Sequence, residues 1–236
     1  MWHEEDVDPA LLGETLRASR FGWVAIRLHD GVHRDAVAHR WVERFREASG
    51  LPVGGWGVLR TEPEREAELA HAALTQHALE FYVANAELEY LYSGAAGPDA
   101  ERFGRSRRFV AAFRAHRPTM PAALTSYCRA DRHDLDWAAW AESAFVFAPQ
   151  AYVNDFGTAA APAACVAGAR RFFPASAVHP LIGVHVGKAG RPSMSQYAEL
   201  LERAGVRGFG LYPAEVVTRE EWLALGAAVD ELELAD

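Results

Sequence analysis

The sequence is poor in several features that would place a protein in a functional class. Cys128 and Cys165 are its only two cysteines, and they form no C-x-x-C pair. This spacing indicates neither a zinc ribbon nor a disulfide framework. No hydrophobic run approaches the roughly 20 residues of a membrane-spanning helix, so we expect no membrane partner.

Positive charge is also scarce, because the formal net charge is -8. The main basic cluster, around Arg105, is predicted to lie on a solvated helix face, which argues against nucleic acid as a partner. The acidic first six residues lack the basic and apolar regions of a signal peptide. We therefore expect the chain to stay in the compartment where it is made, the cytoplasm.

The composition is that of an ordinary globular protein. Half of the 236 residues are hydrophobic and 24% are charged. The length suits a single α/β barrel. Since no repeat, linker or low-complexity segment divides the chain, we predict one domain over residues 1–236.

Hydrophobic segments typical of strands alternate with segments of helical spacing. The predicted strands are residues 21–28, 51–60, 81–87, 122–127, 144–152, 181–186 and 208–212. The predicted helices are residues 8–19, 34–48, a helix capped by Thr61, 100–116, 136–142, 159–172, a helix capped near Ser193 or Ser195, and 219–229. This alternation, with no hairpin signal, predicts a TIM-like α/β barrel of seven to eight parallel strands. An open doubly wound sheet is the alternative, but the first strand is not followed by a Gly-x-Gly-x-x-Gly loop.

The stretch from Glu80 to Tyr92 stands out because an apolar strand becomes acidic at its end. Strand side chains alternate between faces, so Asn85, Glu87 and Glu89 should share one face. A carboxylate is rarely placed beside a buried strand unless it is paired or functional. We therefore expect a candidate site at this strand end.

Other predicted strands also turn polar or aromatic where they end, and in a barrel those ends meet at one rim. The resulting candidates for substrate binding are Arg27, His29, Asp30, Arg60, Tyr127, Gln150, Tyr152, Asn154, His185 and Tyr212. Carboxylates, amides and aromatic rings together suit a carbohydrate, whose hydroxyls need hydrogen-bond partners and whose ring faces stack on aromatic side chains. Glycoside cleavage needs a carboxylic acid to protonate the leaving oxygen, and we assign that role to Glu87.

The segment Phe-Tyr-Val-Ala-Asn-Ala-Glu at residues 81–87 resembles the acid-bearing strand of chitinase-like and lysozyme-like barrels, and the Asn-x-Glu of endo-N-acetylglucosaminidases. Phe-Ala-Pro-Gln-Ala-Tyr and Gly-Phe-Gly-Leu-Tyr-Pro extend the likeness, over nearly the whole chain, to glycoside-hydrolase-like barrels of actinobacteria and their phages. The resemblance implies a hydrolase of N-acetylated glycans without a cofactor. Glu87 would be the acid/base and Asn85 would orient the substrate's acetamido nucleophile, with Glu89 as a further catalytic candidate.

Several alternatives remain open from the sequence. The several acids that precede the glutamate in chitinases are absent, so the barrel could be catalytically silent and serve as a carbohydrate-binding or structural module of a phage-type or larger assembly. Glu87 and Glu89 could form structural ion pairs with arginines such as Arg27 or Arg60. The His29, Asp30 and His33 group could hold a metal, although we predict none. The loop 187–190 could bind a phosphate through Lys188.

Overall fold

The structure is a computed structural model that describes residues 7–36, 39–87, 90, 100–133 and 135–231. Within these residues the strands are β1 (Val24–Asp30), β2 (His33–Arg34), β3 (Val53–Leu59), β4 (Tyr82–Ala86), β5 (Ala122–Tyr127), β6 (Val146–Ala151), β7 (Leu181–Gly183) and β8 (Gly210–Tyr212). The α-helices are α1 (Pro9–Ala18), α2 (His39–Ser49), α3 (Pro63–Gln76), α4 (Ala100–His116), α5 (Trp137–Glu142), α6 (Val153–Phe156), α7 (Pro162–Ala169), α8 (Met194–Ala204) and α9 (Arg219–Glu231). Short 3-10 segments complete several loops.

One sheet contains all eight strands, in the order β2-β1-β3-β4-β5-β6-β7-β8. In this order, every neighbouring pair from β1–β3 to β7–β8 is parallel, which confirms the predicted α/β barrel class. The expectation that no hairpin occurs was wrong, because β2 is antiparallel to the end of β1. Gly31, at a φ of 55°, provides the left-handed turn between them. The hairpin occupies the predicted start of the second helix at residue 34, and α2 is described from His39 to Ser49.

The sheet is curved, and its two edges are brought together by aromatic side chains. No hydrogen-bonded ladder joins β8 to β1 within the residues described above. Instead, the Phe21 and Phe209 rings lie 5.7 Å apart near the start of these strands. Trp56 of β3 contacts the Tyr212 ring edge-on at 6.0 Å near their ends. These contacts bring β8 to the β1 and β3 side of the barrel.

Alternating burial separates the two faces of the strands. In β4, Tyr82, Ala84 and Ala86 are fully buried against the helices, whereas Val83 and Asn85 are half-buried on the other face. Tyr82 packs against Phe113 of α4 with the ring centroids 5.2 Å apart. The inner face of the curved sheet therefore carries the residues that the period-two pattern places with Asn85.

The helix termini follow local sequence signals, with one exception. Asp8 caps α1 by accepting from the backbone N–H of Ala10 at 2.8 Å. Ser193 caps α8 through a reciprocal pair of bonds with Gln196. The prediction that Thr61 caps the third helix was wrong, because the cap residue is Glu62. None of the described helices is long and apolar enough to cross a membrane.

A disulfide bond joins Cys128 to Cys165, although their spacing in the sequence indicated no disulfide framework. Cys128 follows β5, and Cys165 lies in α7, which packs beside β6. Although 37 positions separate them in the sequence, their Cα atoms are 4.5 Å apart. Motif spacing detects only cysteines that are close along the chain, whereas this pairing depends on how α7 folds back over the sheet.

Candidate functional site

The candidate site is built on the inner face of the sheet where β4 ends. Asn85 pairs in register with Val58 of β3 and Thr125 of β5, so it lies in the middle of the sheet. Glu87 follows on the same face and is half-buried. The structure thus brings these two predicted residues together. Glu89, the third predicted catalytic residue, lies outside the described residues.

Gln150 of β6 lies two strands away from β4 and links Glu87 to Asn85. It lies opposite Tyr127 in the ladder between β5 and β6 and is only 7% exposed. Its Nε2 donates a hydrogen bond to Oδ1 of Asn85 at 3.3 Å and another to Oε1 of Glu87. The sequence placed Gln150 among the substrate-binding candidates, and the structure places its amide against the two catalytic candidates.

Aromatic rings form one wall beside Glu87. Tyr152 and Tyr212 are stacked with their centroids 6.1 Å apart, and Trp56 contacts Tyr212 edge-on. Burial raises the pKa of the Tyr152 hydroxyl well above its usual value, and the nearby Glu87 carboxylate raises it further. The pKa of Tyr212 is raised by burial first, then by Glu215 and Glu87. Both hydroxyls therefore stay protonated at neutral pH and can act as hydrogen-bond donors.

The two arginines that could have neutralised Glu87 are paired with other carboxylates. Arg27 bonds to Asp35 at 2.5 and 3.1 Å. Arg60 bonds to Asp30 at 2.8 and 3.2 Å, and the guanidinium lowers the pKa of the Asp30 carboxyl. Among the described residues, no arginine or lysine forms an ion pair with Glu87. The ion-pair interpretation of Glu87 through Arg27 or Arg60 therefore finds no support in this geometry.

Asp30 and Arg60 lie at the ends of β1 and β3. They line a depression of about 340 Å³ at the rim, together with His33, Thr61 and other residues of the two loops. Arg27 lies close enough to Tyr212 for its charge to lower the pKa of that hydroxyl. Over the described ranges, no group of three histidine, cysteine or carboxylate side chains could hold a metal ion.

His29 has a structural role on the opposite face of the sheet. A bulge between Arg27 and His29 shifts the register, so that His29 faces the helices instead of following Arg27 inward. Its Nδ1–H donates to the Gly31 carbonyl at 2.9 Å, and its Nε2 accepts from the Tyr82 hydroxyl at 2.8 Å. Burial lowers its pKa to about 4. With 1% exposure and both nitrogens bonded, His29 is not available to a substrate.

The loops after β6 and β7 hold His185 beside the tyrosine wall. Nε2 of His185 lies 2.8 Å from Asp155 Oδ2, and its ring meets Tyr152 edge-on at 5.9 Å. Asn154 is fully buried and donates to the backbone carbonyl of His185 at 2.9 Å. Asn154 therefore joins the two loops, while half-exposed His185 stays a candidate for substrate contact.

Tyr127 and Lys188 are two further residues that the sequence singled out. The Tyr127 ring is half-buried, and its centroid is 5.1 Å from that of His133 in the following loop. Lys188 is exposed in a loop whose Ala189 N–H donates to the Asn154 carbonyl at 2.6 Å. Ser193 already accepts from the backbone at the start of α8. The phosphate-binding interpretation of this loop stays a prediction.

Two residues of the site were missed by sequence reasoning. Trp56 lies on the inner face of β3, and the alternation Gly54, Trp56, Val58 could have shown this. Asp35 pairs with Arg27 from the segment after β2. Asp35 gave no sequence signal, because its position depends on the hairpin.

Comparison with solved structures identifies the architecture. A GH18 chitinase from Pseudoalteromonas aurantia matches with a TM-score of 0.70 and 10% identity, over 97% of this chain and 98% of that chain. The chain has a glycoside-hydrolase-like TIM-barrel fold. The PgaB (BpsB) glycoside hydrolase domain of Bordetella bronchiseptica matches this barrel with a TM-score of 0.61 and 12% identity, over 98% and 96% of the two chains.

A Streptomyces cattleya GH5_18 protein in complex with Manβ1-4GlcNAc also matches this glycoside-hydrolase-like barrel. Its TM-score is 0.63 at 18% identity, over 98% of this chain and 77% of that chain. No profile of a known protein family matches the sequence, and no curated protein matches it either. At such low identities the likeness shows the fold alone, and the chemistry must be argued from the site.

Proposed function

We propose that the protein is a glycoside hydrolase that acts on an N-acetylated glycan. The observation that carries the proposal is the placement of Glu87 beside Asn85, at the inner end of β4, with no arginine partner for Glu87 among the described residues. Active sites of TIM barrels lie at this end of the strands. A half-buried carboxyl group at this position can serve as the acid that protonates the leaving oxygen in glycoside cleavage.

In the first chemical step, Glu87 gives its proton to the glycosidic oxygen as the bond from that oxygen to C1 breaks. The carbonyl oxygen of the substrate's own acetamido group bonds to C1, and Asn85 orients that group. In the second step, water bonds to C1 and gives a proton to the Glu87 carboxylate, while the acetamido oxygen leaves C1. The acid is thereby restored, and the configuration at C1 is retained.

The residues around Glu87 supply sugar contacts. Tyr152 and Tyr212 offer ring faces and two protonated hydroxyl groups, and Trp56 supports Tyr212. His185 and Tyr127 extend the polar rim on one side, and the Arg60–Asp30 pair does so on the other. The neighbours with similar folds include a chitinase and a protein bound to a GlcNAc-containing disaccharide, which supports this substrate class.

The decisive experiment compares Glu87→Gln with the wild type on N-acetylchitotetraose. Glutamine keeps the shape but cannot deliver a proton, so kcat should fall by roughly 10²–10⁴-fold with the fold intact. Glu202→Gln, at an exposed position of α8, is the matched control and should keep full activity. Glu89→Gln should have little effect if Glu89 is a rim residue. It should have an effect as large as Glu87→Gln if the pair works as acid and nucleophile about 5–5.5 Å apart.

A catalytically silent barrel within a larger or phage-type assembly is the alternative outcome of the same experiment. Wild-type protein that binds N-acetylated glycans without cleaving any of them would favour it. The disulfide bond bears on where the protein works, because such bonds persist mainly in oxidising compartments. It favours an oxidising compartment over the cytoplasmic location expected from the first residues.

A further inference from the structure

The amide group of Gln150 is held between two acceptors. One N–H of its Nε2 points to Oε1 of Glu87 and the other to Oδ1 of Asn85. The side chain is 7% exposed, and the β5–β6 ladder fixes its backbone. Both hydrogens of the amide nitrogen are therefore used inside the protein, which leaves none of them for a sugar hydroxyl.

We infer that Gln150 is a positioning residue that keeps the catalytic proton on one oxygen of Glu87. This inference rests on the proposed function. Because Gln150 occupies Oε1, the proton of the neutral acid belongs on Oε2. A carbonyl oxygen and a carboxylate oxygen both accept hydrogen bonds, so the bond to Oε1 persists when the proton leaves Oε2 and when it returns.

Asn85 prevents the alternative arrangement. If the Gln150 amide flipped by 180°, its carbonyl oxygen could accept a proton from Glu87, but it would then face Oδ1 of Asn85. Two acceptors facing each other in a half-buried site repel, and both would lose a hydrogen bond. Asn85 thus has a second task besides orienting the acetamido group, since it holds Gln150 in the orientation that leaves Oε2 free.

The test uses the full chain with Gln150→Met, which has a similar volume but no donor, and Gln150→Glu, which has the same shape but places a second carboxylate beside Glu87. The kcat on N-acetylchitotetraose should fall by roughly tenfold in Gln150→Met and by more in Gln150→Glu, while KM changes little, because the acid loses its orientation and the sugar contacts stay. Gln76→Met, at the exposed end of α3, is the matched control.

A readout without substrate separates this inference from the proposed function. The side-chain amide signals of Gln150 in a ¹⁵N spectrum, assigned by their loss in Gln150→Met or Gln150→Glu, should shift in Glu87→Ala and in Asn85→Ala, since each variant removes one acceptor of that amide. Gln150 signals that stay unchanged in both variants would overturn the positioning role, whatever the activity. If Gln150→Met fails to fold, the same measurements on Gln150→Glu test the inference. Wild-type protein that cleaves no glycan, but shows the shifts, would refute the proposed function alone.

Discussion

The rings of Tyr152 and Tyr212 stack across the inner face of β7, with centroids 6.1 Å apart. They can meet there because the residue between them is Gly183, which pairs with Tyr212 in the β7–β8 ladder. A methyl group at Gly183 would lie 2.6 Å from Asn154 Oδ1 and 2.8 Å from Tyr152 Cδ1. A missing side chain in one strand therefore makes room for an aromatic wall formed by its neighbours.

Gly183→Ala should displace Tyr152 and destabilise the fold by about 1–3 kcal/mol, since overpacking forces side chains from their preferred positions. Urea denaturation measures the loss, and titration with N-acetylchitotetraose should show weaker binding. Gly22→Ala is the control, because no atom lies within 4 Å of the added methyl group. If Gly183→Ala binds the glycan as tightly as the wild type does, the wall does not contact the sugar.

The loss of activity in Asn85→Ala should depend on the substituent at C2 of the substrate sugar. With an acetamido group present, loss of the orienting amide should lower kcat by roughly tenfold or more, because the nucleophile is no longer held near C1. A matched glycoside without the acetamido group should lose less activity. Kinetics on the two substrates measure the difference. Equal losses on both would show that Asn85 acts only through Gln150.

His29 should make the fold sensitive to acid. Its pKa is about 4 in the folded protein and near 6.5 in the unfolded chain, so the unfolded chain binds the extra proton between these values. The contribution of His29 to the free energy of unfolding should be complete above pH 6.5 and should decrease by up to about 3 kcal/mol as the pH falls toward 4. Urea denaturation across this range measures the slope.

The His29→Gln variant removes this titration, so its slope between pH 6.5 and 4 should be smaller than that of the wild type, although its stability at pH 7 is lower. His33→Gln, at an exposed position of the same hairpin, is the matched control. An unchanged slope in His29→Gln would mean that His29 is not the group responsible.

The disulfide bond should contribute substantially to stability. A cross-link between residues 37 positions apart lowers the conformational entropy of the unfolded chain. In the loop-entropy estimate this raises the free energy of the unfolded chain by about 4 kcal/mol. The double variant Cys128→Ser with Cys165→Ser should unfold at lower urea, and a reductant should shift the wild type but not this variant. Two reactive thiols in unreduced, denatured wild-type protein would contradict the pairing.

The sequence alone determined most of the strands and helices and the inward face of β4. Residues 122–127 and 100–116 were predicted with the bounds that β5 and α4 have, because hydrophobic period and capping residues act over a few positions. The same period placed Asn85 and Glu87 on one face. These features depend on neighbours along the chain, which the sequence displays directly.

Only the tertiary structure decided which partner each inward residue has. Gln150 joins Glu87 from 63 positions away, and Cys165 joins Cys128 from 37 positions away. The bulge after Arg27 reverses the face of His29, although the alternating pattern had placed that histidine at the rim. Pairing of this kind depends on strand register and on how helices fold back over the sheet, and neither is encoded in the local period of the sequence.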